Sequence, residues 1–307
     1  METTTSLSET QEIPIFIYHI GDQDYFKKCV NFNSKHNKVY VVGMGDNPFN
    51  GNPNVSFYDV RNMNNGEANR FKRCFKNYSS HTSSYEIKCF VRVFILKQLM
   101  LLTKINQFLH LDSDCILLCK TSEIFNNPSS SSYPRYIKSA YSIQKFAQEE
   151  NPYHMVGCIH NGLLDLQMCN TFIQLCYDIY ENNSKFHLIE DKVKFHEGKN
   201  NGGINDMTMF WVIYNERLYK NENLKDGEAY LIYDLNEPIV INGEKCVFDH
   251  SICTDYGFQG LSTYKMENSM KRITHDPNGN KYIETNNGER IRLLSIHFSG
   301  GTKHLMP

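Results

Sequence analysis

Taken as a whole, this chain lacks a marked surplus of one charge. Its 307 residues hold 32 Lys and Arg against 34 Asp and Glu, a formal net charge of −2. Nothing global therefore draws it to nucleic acid or an anionic membrane, and an anionic ligand must be met by a local site. An export signal is also missing, because Met1 to Glu12 is polar and Thr/Ser-rich with no apolar core. The most apolar stretch, Cys89 to Leu102, is interrupted by Arg92 and Lys97 and is too short to cross a bilayer. These absences point to cytoplasmic residence with no integral membrane segment. The ten cysteines include no Cys-x-x-Cys pair and no zinc-module spacing. They are expected to be buried free thiols in a reducing compartment. Asn-x-Ser triplets at Asn54, Asn77 and Asn182 arise readily in so Asn-rich a chain and carry little weight.

What is present suits a globular enzyme. A 40% hydrophobic content with generous Phe and Tyr can fill a real core, and the length allows one large α/β domain or two smaller ones. Beyond the polar tail of residues 1–12, Ile13 to Tyr18 reads as a buried strand ending at Gly21. Asp24 to His36 reads as a helix, and Lys38 to Val42 as a second strand ending at Gly43. That order with short Gly-bearing exits is how a parallel α/β sheet begins. Val55 to Tyr58 is a third strand, and Tyr85 to Thr103 is the clearest helix, with Ser83 or Ser84 to cap it. Gln107 to Leu111 is a strand, continued in extended form by Cys115 to Leu118, with a helical turn at Ser122 to Phe125. The Ser129–Ser132 run reads as a mobile loop. Helices are expected over Met168 to Tyr180 and Met207 to Glu216, tight turns at Pro277–Asn280 and Asn286–Gly288, and a last strand over Ile291 to Phe298. With no repeat and no linker, residues 13–307 read as a single domain.

The central motif is Asp112-Ser113-Asp114 at the end of an apolar strand. On an extended backbone, two carboxylates at this spacing lie on one side and can share a hard divalent ion. Such an ion can grip a diphosphate that the carboxylates alone repel. With fifteen Asp in the chain, about one such triplet arises by chance, so position must decide. A second triplet, Asp22-Gln23-Asp24, follows the first strand. There Asp24 can equally cap a helix, and Asp22 is a candidate nucleotide contact. The first triplet sits at the carboxyl end of an interior strand, where open parallel sheets bind ligands. The second motif is His297-Phe298-Ser299-Gly300-Gly301-Thr302-Lys303. A strand-end His can offer a neutral imidazole to a metal, the glycines permit close backbone approach, and Lys303 supplies a point charge for a diphosphate.

Together, helix, strand, Asp-x-Asp, strand and the closing Ser-Glu-Ile-Phe over Tyr85–Phe125 resemble the retaining glycosyltransferases related to glycogenin and to bacterial lipooligosaccharide galactosyltransferases. His297-Phe298-x-Gly300-x-x-Lys303 is similar to that family's His-Phe-x-Gly-x-x-Lys-Pro-Trp signature. His160-Asn161-Gly162-Leu163-Leu164 and Gly203-Ile204-Asn205-Asp206-Met207 fall in the family's order. The resemblance implies a GT-A, Rossmann-like α/β fold with a mixed, mostly parallel central sheet flanked by helices. It further implies a nucleoside-diphosphate sugar donor, usually a UDP-sugar, and Mn²⁺, with Mg²⁺ as the other candidate. It casts Asp112, Asp114 and His297 as metal ligands, Ser113 within the donor-binding triplet, and Gly300 and Lys303 as diphosphate contacts. Asp206 would bind sugar hydroxyls near the reacting carbon, Asn161 would face the donor sugar, and Arg92 would be the basic residue on the preceding helix. Tyr18 would lie near the base. Three departures stand out. His304-Leu305 replaces Pro-Trp, Met207 stands where an amide is common, and Arg92 lies further from Asp112 than the pattern expects.

The implied acceptor is a glycan, protein or lipid-linked molecule, and the reading is compatible with a homodimer. An inverting transferase would need a general base, for which Asp206 is the candidate. A sugar nucleotidyltransferase would open with a Gly-rich basic loop, which Tyr18-His19-Ile20-Gly21-Asp22 is not. A binding module without catalysis is the reading from another class, and the intact carboxylate, His and Lys set argues against it. Trp211 is expected in the core rather than as a sugar platform, and Asp206 as an N-cap candidate for the helix it precedes.

Overall fold

The computed structural model describes residues 12–125, 137–144, 152–200, 202–220, 232–253 and 263–307. The polar tail up to residue 11 and the Ser129–Ser132 run lie outside them. In chain order the elements begin with β1 (Ile15–Tyr18), α1 (Asp24–Asn33), β2 (Val39–Gly43) and β3 (Val55–Asp59). Next come α2 (Gly66–Cys74), α3 (Ser83–Thr103), β4 (Gln107–Leu111), β5 (Cys115–Leu117) and α4 (Thr121–Phe125). Then β6 (Ala140–Gln144), β7 (Val156–Asp165), α5 (Leu166–Tyr180), α6 (Glu190–His196) and α7 (Asp206–Asn215) follow. After them come the strands β8 (Tyr233–Asp234), β9 (Ile239–Ile241), β10 (Glu244–Phe248), β11 (Met266–Glu267), β12 (Met270–Lys271), β13 (Ile273–His275), β14 (Lys281–Glu284) and β15 (Arg290–His297), and then a 3₁₀ helix over Gly300–Leu305.

Seven strands form the main sheet in the order β3-β2-β1-β4-β7-β6-β8. Neighbours pair in parallel except where β7 runs against β4 and β6. This is the mixed, mostly parallel α/β sheet expected from the sequence. Alternation along β1 assigns its two faces: Phe16 packs with α2, α3, α5 and α7, while Ile15 and Ile17 face α1 and the second sheet. The second sheet runs β13-β14-β15-β10-β9, and β5 joins it through β15. β11 and β12 form a small hairpin.

One local expectation fails in an informative way. The chain does not continue straight after β4, because Cys115 N donates to Asp112 O at 2.9 Å and closes a turn over residues 112–115. β5 therefore leaves the main sheet and pairs antiparallel with β15, Cys115 opposite His297 and Ile116 opposite Ile296. Both ends of α7, expected over Met207 to Glu216, lie one residue earlier. α7 begins at Asp206, and its N-cap is Asn205, which forms a reciprocal capping box with Thr208. Trp211 packs, partly buried, against the helical side of the core.

Candidate active site

The turn between β4 and β5 decides where each carboxylate goes. On a straight strand Asp112 and Asp114 would share a side; in the turn they take separate partners. Asp112 Oδ1 accepts from Arg92 Nη1 and lies 3.2 Å from His110 Nε2, without hydrogen-bond alignment to the latter. Asp112 Oδ2 makes no hydrogen bond among the described residues, and the side chain is 29% exposed. Arg92 Nη2 donates to Asp206 Oδ2 at 2.7 Å. A buried guanidinium thus ties α3 to the end of β4 and the start of α7. Burial pushes the Asp112 carboxyl up, but the Arg92 charge and then His110 outweigh it and hold the group well below the carboxylate range.

Asp114 meets the C-terminal motif. Its Oδ1 lies 3.4 Å from His297 Nε2, and its Oδ2 accepts from Lys303 Nζ at 2.9 Å. The backbone fixes this meeting, since Phe298 N donates to Asp114 O at 2.9 Å beside the Cys115–His297 pairing. Burial raises the Asp114 carboxyl, and His297 with Lys303 brings it net below its ordinary value. For His297, burial lowers the imidazole, and the Asp114 carboxylate more than reverses this. Lys303 Nζ also sits over the Tyr25 ring, 4.7 Å from its centroid.

His297 is held from behind by groups the sequence motifs do not reveal. Its Nδ1 donates to His250 O, and its backbone N donates to Asp249 Oδ2 at 3.2 Å. Asp249 in turn pairs with Lys271 at 2.6 Å, both buried. The His160 ring stacks on His297 at 4.8 Å and 19°. Burial, reinforced by His250 and His297, drives the His160 imidazole well below its usual pKa, so it stays neutral. With Nδ1–H committed to the His250 carbonyl, His297 Nε2 and Asp114 Oδ1 are two acceptors face to face. Something positive must lie between them, a proton or a metal ion. A metal-ligating histidine oriented by a backbone carbonyl is what this arrangement offers, so Asp114 and His297 fit a cation.

The remaining expected residues fall as follows. Ser113 Oγ hydrogen-bonds His19 Nδ1 at 2.8 Å, and His19 Nε2 donates to Gln23 Oε1 at 2.6 Å. Burial lowers the His19 pKa, in keeping with a neutral ring in that chain. Tyr18 ends β1 with its hydroxyl pKa raised by burial and opposed by nearby Arg92. Asp22 is exposed, with no ion pair or hydrogen bond among the described residues. Asn161 does not face an opening: it is fully buried, and its amide donates to Asp249 O at 3.3 Å. Asp206 is 4% exposed and also accepts from Met207 N at 3.0 Å. Gly300 adopts φ +58°, and nothing lies within 4 Å of where a Cβ would stand on it or on Gly301. Their backbone is open to a ligand.

His19, His110, His250 and Asp249 were not singled out from sequence, and His160 was quoted only within the His160–Leu164 segment, with no role of its own. Asp249-His250 had a usable signal, since it closes β10, which runs parallel to β15 and ends at the same edge as His297. A strand over Glu244–Phe248 had to be recognised first.

No protein-family model matches the chain, and no curated protein sequence matches it. Among solved structures, mouse xyloside xylosyltransferase 1 in its apo form aligns over 73% of this chain and 85% of its own, at 14% identity and a TM-score of 0.42. The glycosyltransferase GlyE of Streptococcus pneumoniae aligns over 73% of this chain and 45% of its own, at 15% identity and a TM-score of 0.32. The apo bifunctional glycosyltransferase WbbM aligns over 60% of this chain and 37% of its own, at 15% identity and a TM-score of 0.32. This chain thus matches less than half the length of the last two. No helix among the described residues is long and apolar enough to cross a membrane.

Proposed function

We infer that this protein is a metal-dependent glycosyltransferase. It takes a nucleoside-diphosphate sugar, for which a UDP-sugar is the first candidate, and transfers the sugar to a glycan, protein or lipid-linked acceptor. One observation carries the reading: Asp114 meets both His297 and Lys303, from the far end of the chain, at the carboxyl end of the main sheet. Carboxylate, imidazole and ammonium converging there match the diphosphate-and-cation chemistry that the sequence resemblance implies.

A divalent ion such as Mn²⁺, held by Asp114 and His297 with Asp112 Oδ2 as a further oxygen, would act as Lewis acid on the departing diphosphate. The protein's own groups do the rest. Lys303 lies beside Asp114 and can swing its charge from that carboxylate onto a phosphate oxygen. The open backbone at Gly300 and Gly301 lets the diphosphate approach closely. Arg92 fixes Asp112 and Asp206 relative to one another, so the groups near the reacting carbon are set before substrate arrives. Asp206 is buried with its Oδ2 taken by Arg92, so it does not stand open to an incoming hydroxyl. Transfer with retention, assisted by the departing phosphate oxygen on the same face, is therefore favoured over inversion.

The test is calorimetric titration with UDP, with and without Mn²⁺, followed by UDP release from UDP-glucose, UDP-galactose and UDP-N-acetylglucosamine. Asp114→Ala and His297→Ala are expected to fold, to lose the Mn²⁺-dependent part of UDP binding, and to lose a thousandfold or more in rate, on the order of 4 kcal/mol. Unchanged Mn²⁺-dependent binding and turnover in both variants would overturn the assignment.

A further inference from the structure

Within this metal-site reading, we propose that Cys115 is a third protein ligand. The centre would then present oxygen, nitrogen and sulfur together and favour borderline ions such as Zn²⁺ or Co²⁺ over Mg²⁺ and Ca²⁺. The sequence motif counts two carboxylates and an imidazole, but the geometry gathers a different set. One ligand atom each from Asp114, Cys115 and His297 lies within 4.8 Å of the others. Adjacent residues on a straight strand would point apart. Asp114 and Cys115 converge because the 112–115 turn swings Asp114 out of extended geometry just before β5 begins. Cys115 then stands directly opposite His297 in the antiparallel pair, so their side chains share a face.

The competing reading is a small buried hydrophobe, which suits Cys169 and Cys176 in the helical core. Cys115 is also fully buried among apolar residues, but it differs in that a carboxylate oxygen of Asp114 and a ring nitrogen of His297 lie within 4.8 Å of its sulfur. Its His297 partner is also preset: Nδ1 is tied to the His250 carbonyl and the ring plane is held by His160, which leaves Nε2 to point at Asp114. A tetrahedral ion with bonds of about 2.0–2.3 Å places its ligands up to roughly 4 Å apart. A spread of up to 4.8 Å closes onto an ion when the ligand atoms draw together by up to about 1 Å in all. Lys303 is no obstacle, since it holds Oδ2 of Asp114 while Oδ1 faces His297. Ligation replaces the S–H bond with a metal–sulfur bond and releases one proton to solvent.

The experiment uses the full chain, reduced and stripped of metal, titrated with Co²⁺ alone and followed by absorption. Expected is a sulfur-to-cobalt charge-transfer band in the near ultraviolet that saturates at one equivalent. Cys115→Ser, Cys115→Ala and Asp114→Ala should each lose it, while Cys253→Ser keeps it. The two Cys115 variants should also weaken Zn²⁺ binding by about 10–100-fold, and Mn²⁺ binding by less than that, since a thiolate suits Zn²⁺ better than Mn²⁺. Their thermal melts should stay cooperative. Co²⁺ binding without the band, or a band that survives both Cys115 variants, overturns the sulfur ligand and leaves the oxygen–nitrogen site standing. Failure of the wild type to bind Co²⁺, Zn²⁺ or Mn²⁺ overturns this proposal together with the metal dependence of the proposed function.

Discussion

Replacing Arg92 with Met keeps most of the side chain's length and removes its charge, so it isolates what the guanidinium does. In the native protein, that group sits 15% exposed between Asp112 and Asp206. Removing it leaves two carboxylates in a desolvated pocket without a counterion, and breaking a buried pair in this way costs about 3–5 kcal/mol. For a chain of this size that is a fall in Tm of about 5–8 °C. The pH dependence gives a sharper readout. In the native protein Asp112 titrates below its unfolded value because Arg92 outweighs burial. It therefore contributes stability above an unfolded pKa of about 3.9, lost as pH falls through the depressed folded value. In Arg92→Met burial loses its chief opponent, with only His110 and His297 still acting against it, so Asp112 titrates higher than in the native protein and the penalty of keeping it charged is relieved as pH falls. The gap between the two proteins should be widest near neutrality and shrink steadily between about pH 7 and pH 4. Urea denaturation followed by circular dichroism across that range measures it. A loss under about 1 kcal/mol at neutrality, the level of an exposed pair, would refute the reasoning. So would a gap that does not change with pH.

Gly203→Ala tests how the approach to Asp206 is built. Gly203 has φ +111°, and a new Cβ would stand 2.3 Å from Tyr78 O and 2.6 Å from Ser79 Cα. Backbone on both sides cannot yield, so a loss of at least about 2 kcal/mol is expected. Sugar-nucleotide turnover should fall with it, while Gly198→Ala, at φ +73° in open space, should cost only about 1 kcal/mol of local strain; thermal melts of the two variants side by side decide. Lys192 is a buried ammonium bonded to Met155 O at 3.3 Å, and burial lowers its pKa from 10.5 to about 8. Because the folded form gives up its proton first, native stability rises with pH between those two values. Lys192→Met should therefore stabilise the protein by about 2–3 kcal/mol below pH 8, with the advantage fading above it. Chemical denaturation at pH values on either side of 8 measures this, and a constant difference would count against the buried charge.

The start of the fold was legible because it is written in local signals. Apolar runs ending at Gly21 and Gly43 gave β1 and β2, and the apolar spacing over Tyr85 to Thr103 gave α3, each within a few residues of where it lies. β7, α2 and α6 were not assigned. β7 carries Cys158 and His160 among its apolar residues, and α2 and α6 are short and largely polar, stabilised by what they pack on rather than by pattern. The site divides the same way. Asp112, Asp114, His297 and Lys303 stood out because their motifs sit at the ends of recognisable strands. The carboxylates' divergence was hidden because one hydrogen bond, Cys115 N to Asp112 O, decides between a straight strand and a turn. Arg92 was named with its spacing to Asp112 as a departure, and α3 nonetheless carries the guanidinium to both Asp112 and Asp206. The role of the histidines behind His297 was hidden for a different reason: His160, His250 and His297 come together only when β7, β10 and β15 do.

That convergence explains why an ion pair is buried where two apolar residues would fit. A buried pair such as Asp249–Lys271 adds little net stability, because desolvating both charges offsets their attraction. What Asp249 supplies is position. One carboxylate oxygen takes Lys271 Nζ, the other takes His297 N, and the backbone carbonyl takes the Asn161 amide. Through this residue β7 of the main sheet, β10 and β15 are fixed to one another beside the His297 ring. The register of β15 against β5 rests on only three residue pairs, and a slip of one residue would turn His297 to the opposite face. A charged acceptor matched to one backbone N–H penalises that slip in a way a leucine could not, and Asn161, buried and bonded here, belongs to the same lock.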